Sequence, residues 1–153
     1  MSRGLGDVYK RQALFRVPET LRRDRIRQFL EKFHLAGIEK GYFEDYSRGN
    51  KQKFSIIAAL LHHPKLLLVD EPIVGLDPES AEIAKHEFRE FADRGGTVLI
   101  VTHTLPVAQE IADVIGVLKN GKLVASAPFA RLRTMAKLGP KADLGDVYRV
   151  LAE

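Results

Sequence analysis

Three short stretches hold residues suited to phosphate chemistry. They are Tyr46-Ser47-Arg48-Gly49-Asn50-Lys51-Gln52-Lys53, Leu66-Leu67-Leu68-Val69-Asp70-Glu71-Pro72 and Gly75-Leu76-Asp77-Pro78. The middle stretch is the most informative, because an apolar run ends in two adjacent carboxylates. In open α/β sheets ligands bind beyond the carboxyl ends of the strands, which is where Asp70 falls. An aspartate there can hold Mg²⁺, usually through water, while the ion bridges phosphate oxygens. Glu71, one residue on, is placed to orient or deprotonate a water attacking a γ-phosphate. Ser47 and Gly49 stand at the start of a helix, where a hydroxyl, backbone N–H groups and the positive dipole end suit an anion. Asp77 is placed to cap the helix that Pro78 opens and to touch a partner subunit. His103 follows the apolar run Thr97 to Val101, again at a carboxyl end, where an imidazole can hydrogen-bond a phosphate and a water. Each feature has a plainer alternative: a polar loop for Asp-Glu-Pro and for His103, an ordinary cap for Ser47 and Asp77. Their order along one chain favours the phosphate reading.

Together these stretches resemble the motifs of the nucleotide-binding domain of ATP-binding cassette (ABC) proteins. Ser47 to Lys53 is similar to that family's signature, Leu-Ser-Gly-Gly-Gln followed by any residue, Gln, and Arg or Lys. Leu66 to Glu71 resembles its Walker B strand with the catalytic glutamate, Gly75-Leu76-Asp77 its D-loop, and His103 its switch histidine. The resemblance covers residues 13–127. It implies ATP hydrolysis coupled to transport, with ATP and Mg²⁺ as cofactors. Two such domains pair head to tail and sandwich two ATP molecules. On that pattern Ser47, Arg48, Gly49 and Asn50 would face the γ-phosphate held by the opposite subunit. Asp70 would serve Mg²⁺, Glu71 the attacking water and His103 the γ-phosphate. The implied partners are a second nucleotide-binding domain, as homo- or heterodimer, and a transmembrane permease subunit. The implied location is the cytoplasmic face of the membrane.

The chain also departs from that pattern. Tyr46 stands for the signature leucine, Arg48 for its first glycine and Asn50 for its glutamine. This style is similar to the subgroup paired with ABC-2-type export permeases, as is the closing segment Leu144-Gly145-Asp146-Val147-Tyr148. No Walker A loop, Gly-x-x-x-x-Gly-Lys-Ser/Thr, occurs among the residues. Gly116 to Lys122 mimics it, but Leu123 stands where Ser or Thr is needed, and the stretch lies in a hairpin. Gln12 is at a tempting place for the Q-loop glutamine but in the wrong context. The chain therefore reads as the C-terminal part of such a domain, inactive alone, with apolar sheet surface left uncovered. The alternatives are a soluble ABC ATPase of DNA repair or translation and a non-catalytic fragment. The first is disfavoured because no coiled-coil insertion or tandem domain follows Glu71.

The elements that must position these residues can be read from periodicity. A helix is expected from about Thr20, as cap, with Ile26, Phe29, Leu30 and Phe33 on one face, and Gly37 and Gly41 ending that region. A second helix starts within residues 49–52, runs to about Leu61 with Phe54, Ile57, Ala58 and Leu61 inward, and stops at Pro64. Leu66 to Val69 and Thr97 to Val101 read as strands buried on both faces. The helix between them opens at Asp77-Pro78 and closes at Gly95-Gly96. A short helix follows from Thr104 and Pro106. Asn120-Gly121 marks a hairpin between Val114 to Leu118 and Lys122 to Ser126. Helices near Phe129–Lys137 and Leu144–Leu151 finish the chain. The expected fold is α/β: a partial P-loop NTPase (RecA-like) core with parallel strands and flanking helices, an α-helical signature subdomain and a C-terminal β-hairpin. The expected segments are residues 1–12 foreign to the fold, 13–62 the helical subdomain, 63–127 the core and 128–153 the C-terminal helices.

Composition narrows the classes. The chain of 153 residues carries a net charge of only +4 and no cysteine, so disulfides and thiolate metal sites are excluded. No apolar run approaches the ~18–20 residues of a membrane-spanning helix. The basic groups at Arg22, Arg23, Arg25 and Arg27, and at Arg131, Arg133 and Lys137, lack interleaved aromatics. They read as solvated helix faces, and no nucleic-acid partner is expected. His62-His63, His34 and His86 read as helix-end or surface residues, because adjacent helix positions do not face one way.

Overall fold

A computed structural model describes residues 19–38 and 41–152, with side chains from residue 23 onward. The expected foreign segment 1–12 lies outside the described residues. The chain divides into two compact units between Val101 and Thr102.

In the first unit, helix α1 (Glu19–Lys32) leads through a short 3₁₀ turn (Phe43–Asp45) to α2 (Arg48–Leu60). Strand β1 (Leu66–Asp70), helix α3 (Pro78–Asp93) and strand β2 (Thr97–Val101) follow. Thr20 lies inside α1 rather than capping it, since the helix already includes Glu19. The helix ends earlier than its glycines suggest. His34 takes a left-handed φ of 55°, and the Leu35 amide donates back to the Leu30 carbonyl at 2.7 Å, a Schellman closure without glycine. Buried Ile26, Leu30 and Phe33 form the expected inward face of α1, with Phe29 partly buried beside them. They meet Phe54, Ile57 and Leu61 of the α2 region and Ala84, Phe88 and Phe91 of α3. Helix α3 closes as expected at Gly95, whose φ is 91°, with the Gly96 amide donating to the Phe91 carbonyl at 3.1 Å.

The strands β1 and β2 pair in parallel, Leu66 opposite Thr97 through Asp70 opposite Val101. Burial on both faces is not found. Leu67, Val69, Val98 and Ile100 pack on the core of the unit. Their alternate neighbours Leu66, Leu68, Leu99 and Val101 are 52, 65, 56 and 54 % exposed. The reason is the period of two: neighbouring side chains point to opposite faces, and the core of this unit covers only one of them. The expected uncovered apolar surface is therefore present on this sheet.

The second unit holds α4 (Leu105–Ile111), the antiparallel pair β3 (Ile115–Lys119) and β4 (Lys122–Ala127), α5 (Phe129–Met135) and α6 (Leu144–Ala152). Asn120 and Gly121 both adopt positive φ, 49° and 74°, as a two-residue hairpin turn requires. A bulge sits between Val117 and Leu118. Ile115, Val117, Ala125, Ala127, Leu132, Leu144 and Val147 form its core. Gln109 of α4 ties to α6 by accepting from the Leu144 amide at 2.7 Å.

Candidate functional site

Three of the expected site elements fall in the first unit, and the structure joins two of them directly. The signature stretch forms the N-terminus of α2. Ser47 is its cap, with Oγ accepting from the Asn50 amide at 3.2 Å. This bond uses one of the first-turn N–H groups and leaves the hydroxyl exposed at the positive end of the helix. Gly49 is required by a close approach. A Cβ there would lie 2.7 Å from the Gly75 carbonyl oxygen. Gly75 has φ +83°, and the Arg48 stem lies across it, with Cδ and Cγ 3.6 and 3.7 Å from where a Cβ would be. The turn that carries Ser47, Arg48 and Gly49 is thus packed on the loop that carries Gly75, Leu76 and Asp77.

Tyr46 explains how the first signature position accepts a residue other than leucine. Its ring stacks on Phe54, with centroids 5.0 Å apart and planes 13° from parallel. Its hydroxyl donates to the Ile38 carbonyl at 2.5 Å and lies 3.1 Å from the Gly41 carbonyl. The aromatic body fills the apolar role of leucine, and the polar tip reaches main-chain acceptors.

Asp70 ends β1 with its side chain exposed, and Glu71 leaves the strand in a left-handed conformation, φ 45°. For a side chain with a Cβ this conformation costs about 1–2 kcal/mol and persists only where neighbours fix it. Those neighbours are identifiable. The Glu71 amide donates to the Val101 carbonyl at 2.9 Å, and its carbonyl accepts from the Val74 amide at 3.3 Å. Gln52 on α2 donates Nε2–H to the Pro72 carbonyl at 3.1 Å and reaches the Glu71 carbonyl at 3.5 Å.

Asp77 caps α3 as expected, accepting from the Ser80 amide at 2.9 Å and from Ser80 Oγ at 2.8 Å. Lys53, buried in the second turn of α2, places Nζ 2.9 Å from the same carboxylate. The Ser80 amide first, then Lys53 and the Ser80 hydroxyl, hold the Asp77 carboxyl well below the usual carboxylate range. Gln52 and Lys53 are the positions whose work the sequence reading left unassigned. Their signal was the tail of the signature stretch, Gln then Arg or Lys, which alone does not say what the two side chains touch.

His103 belongs to the second unit, exposed in the turn before α4. The Leu105 amide donates to its carbonyl at 3.1 Å, and the Thr104 amide donates to Thr102 Oγ1 at 3.0 Å. The described geometry therefore unites Ser47, Arg48, Gly49 and Asn50 with Gly75, Leu76 and Asp77, and ties both to the main chain after Asp70. His103 stands in the second unit.

A family model described as "AAA domain, putative AbiEii toxin, Type IV TA system" matches residues 2–107, over half of the chain. The bacitracin transport ATP-binding protein BcrA of Enterococcus faecalis is 37 % identical over 126 residues, 79 % of this chain and 40 % of that protein. The chain belongs to the ATP-binding cassette family of ATPase domains. This ABC domain is equally close in identity, 37 % over 114 residues, to the sulfate/thiosulfate import ATP-binding protein CysA 1 of Agrobacterium fabrum. That match covers 74 % of the chain and 33 % of the relative. A solved structure titled "Structure of ATP binding subunit of ABC transporter" superposes with a TM-score of 0.92 at 26 % identity, over 100 % of this chain and 63 % of that one. The ABC domain therefore shares the mixed α/β architecture of such subunits, and spans about 40 % of the length of BcrA. ABC ATPases bind ATP, and ABC ATP-binding subunits work with transmembrane components. No described helix is long and apolar enough to cross a membrane.

Proposed function

We propose that this chain is the signature and catalytic-carboxylate portion of the ATP-hydrolysing subunit of an ABC exporter. The observation that carries this reading is the packing of the Ser47–Gly49 turn on the Gly75–Asp77 loop, beside the strand end that presents Asp70 and Glu71. An anion at the α2 N-terminus would meet the exposed Ser47 hydroxyl and helix N–H groups, with Arg48 adding positive charge and Asn50 a neutral amide. In a head-to-tail pair of domains that anion is the γ-phosphate of the opposite subunit's ATP. Glu71 accepts the proton of the attacking water, or orients it, for the ATP bound on its own side. Its left-handed backbone turns the side chain away from the alternation of β1.

Mg²⁺ fits the donor set. An exposed carboxylate at a strand end is a hard oxygen ligand, and Asp70 would hold the ion through water. When bound, Mg²⁺ neutralises charge developing on the phosphate oxygens. His103 would donate to the γ-phosphate. The absence of a Gly-x-x-x-x-Gly-Lys-Ser/Thr loop from the 153 residues supports reading the chain as one part of a shared site, completed by polypeptide that grips the nucleotide. The proposed partners are a second nucleotide-binding domain and a permease subunit at the cytoplasmic membrane face. Export is favoured by the Tyr-Ser-Arg-Gly form of the signature. The names of relatives include bacitracin and lantibiotic transport proteins as well as sulfate/thiosulfate and methionine import proteins.

Phosphate release from ATP tests this reading. The 153-residue chain alone should match buffer. A version carrying an upstream Gly-Lys-Ser/Thr loop should turn over ATP and lose that turnover in Glu71→Gln. Turnover that survives Glu71→Gln would sink the role given to Glu71.

A further inference from the structure

Gln52 has no part in the reading above, yet it spans from the second turn of α2 to the peptide that follows the proposed catalytic carboxylate. Its Nε2 lies 3.1 Å from the Pro72 carbonyl and 3.5 Å from the Glu71 carbonyl. Pro72 is fully buried, so its carbonyl needs a protein partner, and the side-chain amide of Gln52 supplies one. Glu71 is held in a left-handed backbone at the same point. Two further contacts run in parallel between the same elements: the Lys53–Asp77 pair at 2.9 Å, and the Gly49 approach to the Gly75 carbonyl. The three contacts fall at positions 49, 52 and 53, one side of a helix at i, i+3 and i+4. They engage residues 75, 72 and 77 respectively, so the loop from Glu71 to Asp77 is fastened at three points to the first two turns of α2.

We propose that Gln52 is a positioning residue for Glu71. It fastens the left-handed Glu71-Pro72 peptide to α2, so that the helix N-terminus carrying Ser47 and the carboxylate at the end of β1 move as one body. The proposal rests on the reading of Glu71 as the group that acts on the attacking water. Its consequence is a physical link inside one chain between two half-sites: the helix end that would face the opposite subunit's ATP, and the carboxylate that would serve its own. A displacement of α2 on phosphate contact is passed to Glu71 through hydrogen bonds and one ion pair rather than through the β1–β2 pairing.

The test is amide hydrogen exchange on the intact 153-residue chain, without nucleotide. Gln52→Met keeps the length and shape of the side chain and removes its donor. Exchange of the Val74 and Leu76 amides, which close the loop by donating to the Glu71 and Ile73 carbonyls, should quicken about five-fold, the factor for one ordinary hydrogen bond. Amides within α3 and the β3–β4 hairpin should be unchanged. Gln52→Lys, which restores a donor at similar reach, should return the loop amides to the wild-type rate. A role confined to general stability would quicken all amides of the first unit together and would not be restored by lysine. If Gln52→Met prevents folding, Gly49→Ala provides a second arm, because its methyl group pushes the same loop away and should quicken the same amides. Unchanged Val74 and Leu76 exchange in the folded Gln52→Met chain, or uniform acceleration, would overturn the proposal. That result would leave the ATPase reading standing. Loss of the Glu71 role in phosphate release would remove the catalytic meaning of the link while the exchange result stayed the same.

Discussion

Replacement of Asp77 separates two contributions that the structure places on a single carboxylate. Asp77→Ala removes the cap of α3, worth about 1 kcal/mol. It also strips Lys53 of its charged partner while Lys53 stays buried, 9 % exposed, against 51 % for Asp77. A hydrogen bond to a charged group contributes about 1.5–3 kcal/mol, and the half-exposed carboxylate brings this to the lower end, about 1.5 kcal/mol. The total loss is about 2.5 kcal/mol, a fall of roughly 10–20 °C in the melting of the first unit. Asp77→Asn keeps an equally good cap and loses only the charge, so about 1.5 kcal/mol should go. Urea unfolding followed by circular dichroism would rank the wild type above Asp77→Asn above Asp77→Ala. Lys53→Met should cost about 1 kcal/mol less in the Asp77→Asn chain than in the wild type, since neighbouring partners are not additive. The sign with pH follows from the depressed carboxyl. Folding favours the ionised form, so this stabilisation is complete above about pH 5 and fades as pH falls below the unfolded value of about 3.9. Equal losses for Asn and Ala, or a Lys53→Met cost that ignores residue 77, would refute the reasoning.

Other consequences are as direct. Gly49→Ala drives a methyl group to 2.7 Å from the Gly75 carbonyl and should cost about 1–3 kcal/mol by denaturation, whereas Gly139→Ala, where a Cβ meets nothing, should not be felt in this way. Leu68→Lys with Leu99→Ser alters only the uncovered sheet face. It should leave the unfolding midpoint within about 0.5 kcal/mol while reducing self-association in sedimentation, and a large loss of stability would show that face to be covered. His63 is held below its ordinary pKa by burial and by the neighbouring Arg25, Arg94 and His62 charges. Its protonation opposes folding, so stability should fall as pH drops through about 6.5, and His63→Asn should flatten that slope while suiting the left-handed φ of 45°. Gly121→Val, at φ 74°, should destabilise the hairpin by about 1–2 kcal/mol, read from exchange of the β3 and β4 amides.

Much of the site was legible because its signals are local. A cap such as Asp77 followed by Pro78, a hairpin turn such as Asn120-Gly121, and a strand that ends in Asp70 are each written in a few adjacent residues. Their physical cause lies within one turn or one ladder. The helix end at His34 was not legible, because a histidine in a left-handed conformation carries no sequence mark of the kind glycine does. The burial of β1 and β2 was misjudged for a similar reason. A continuous apolar run says that both faces are fit to be covered, not that the packed unit covers both.

Sequence by itself determined the family, the order of its motif stretches and the place of the carboxylates Asp70 and Glu71 after an apolar run. Those depend on residue type and spacing, which a chain carries before it folds. Only the tertiary structure decided which of those elements touch. The approach of Gly49 to Gly75, the pairing of Lys53 with Asp77 and the grip of Gln52 on the Pro72 carbonyl join residues 20 or more positions apart. Such contacts follow from how α2 and α3 pack around Phe54, Ile57 and Phe88, a property of shape and volume that no short stretch encodes alone.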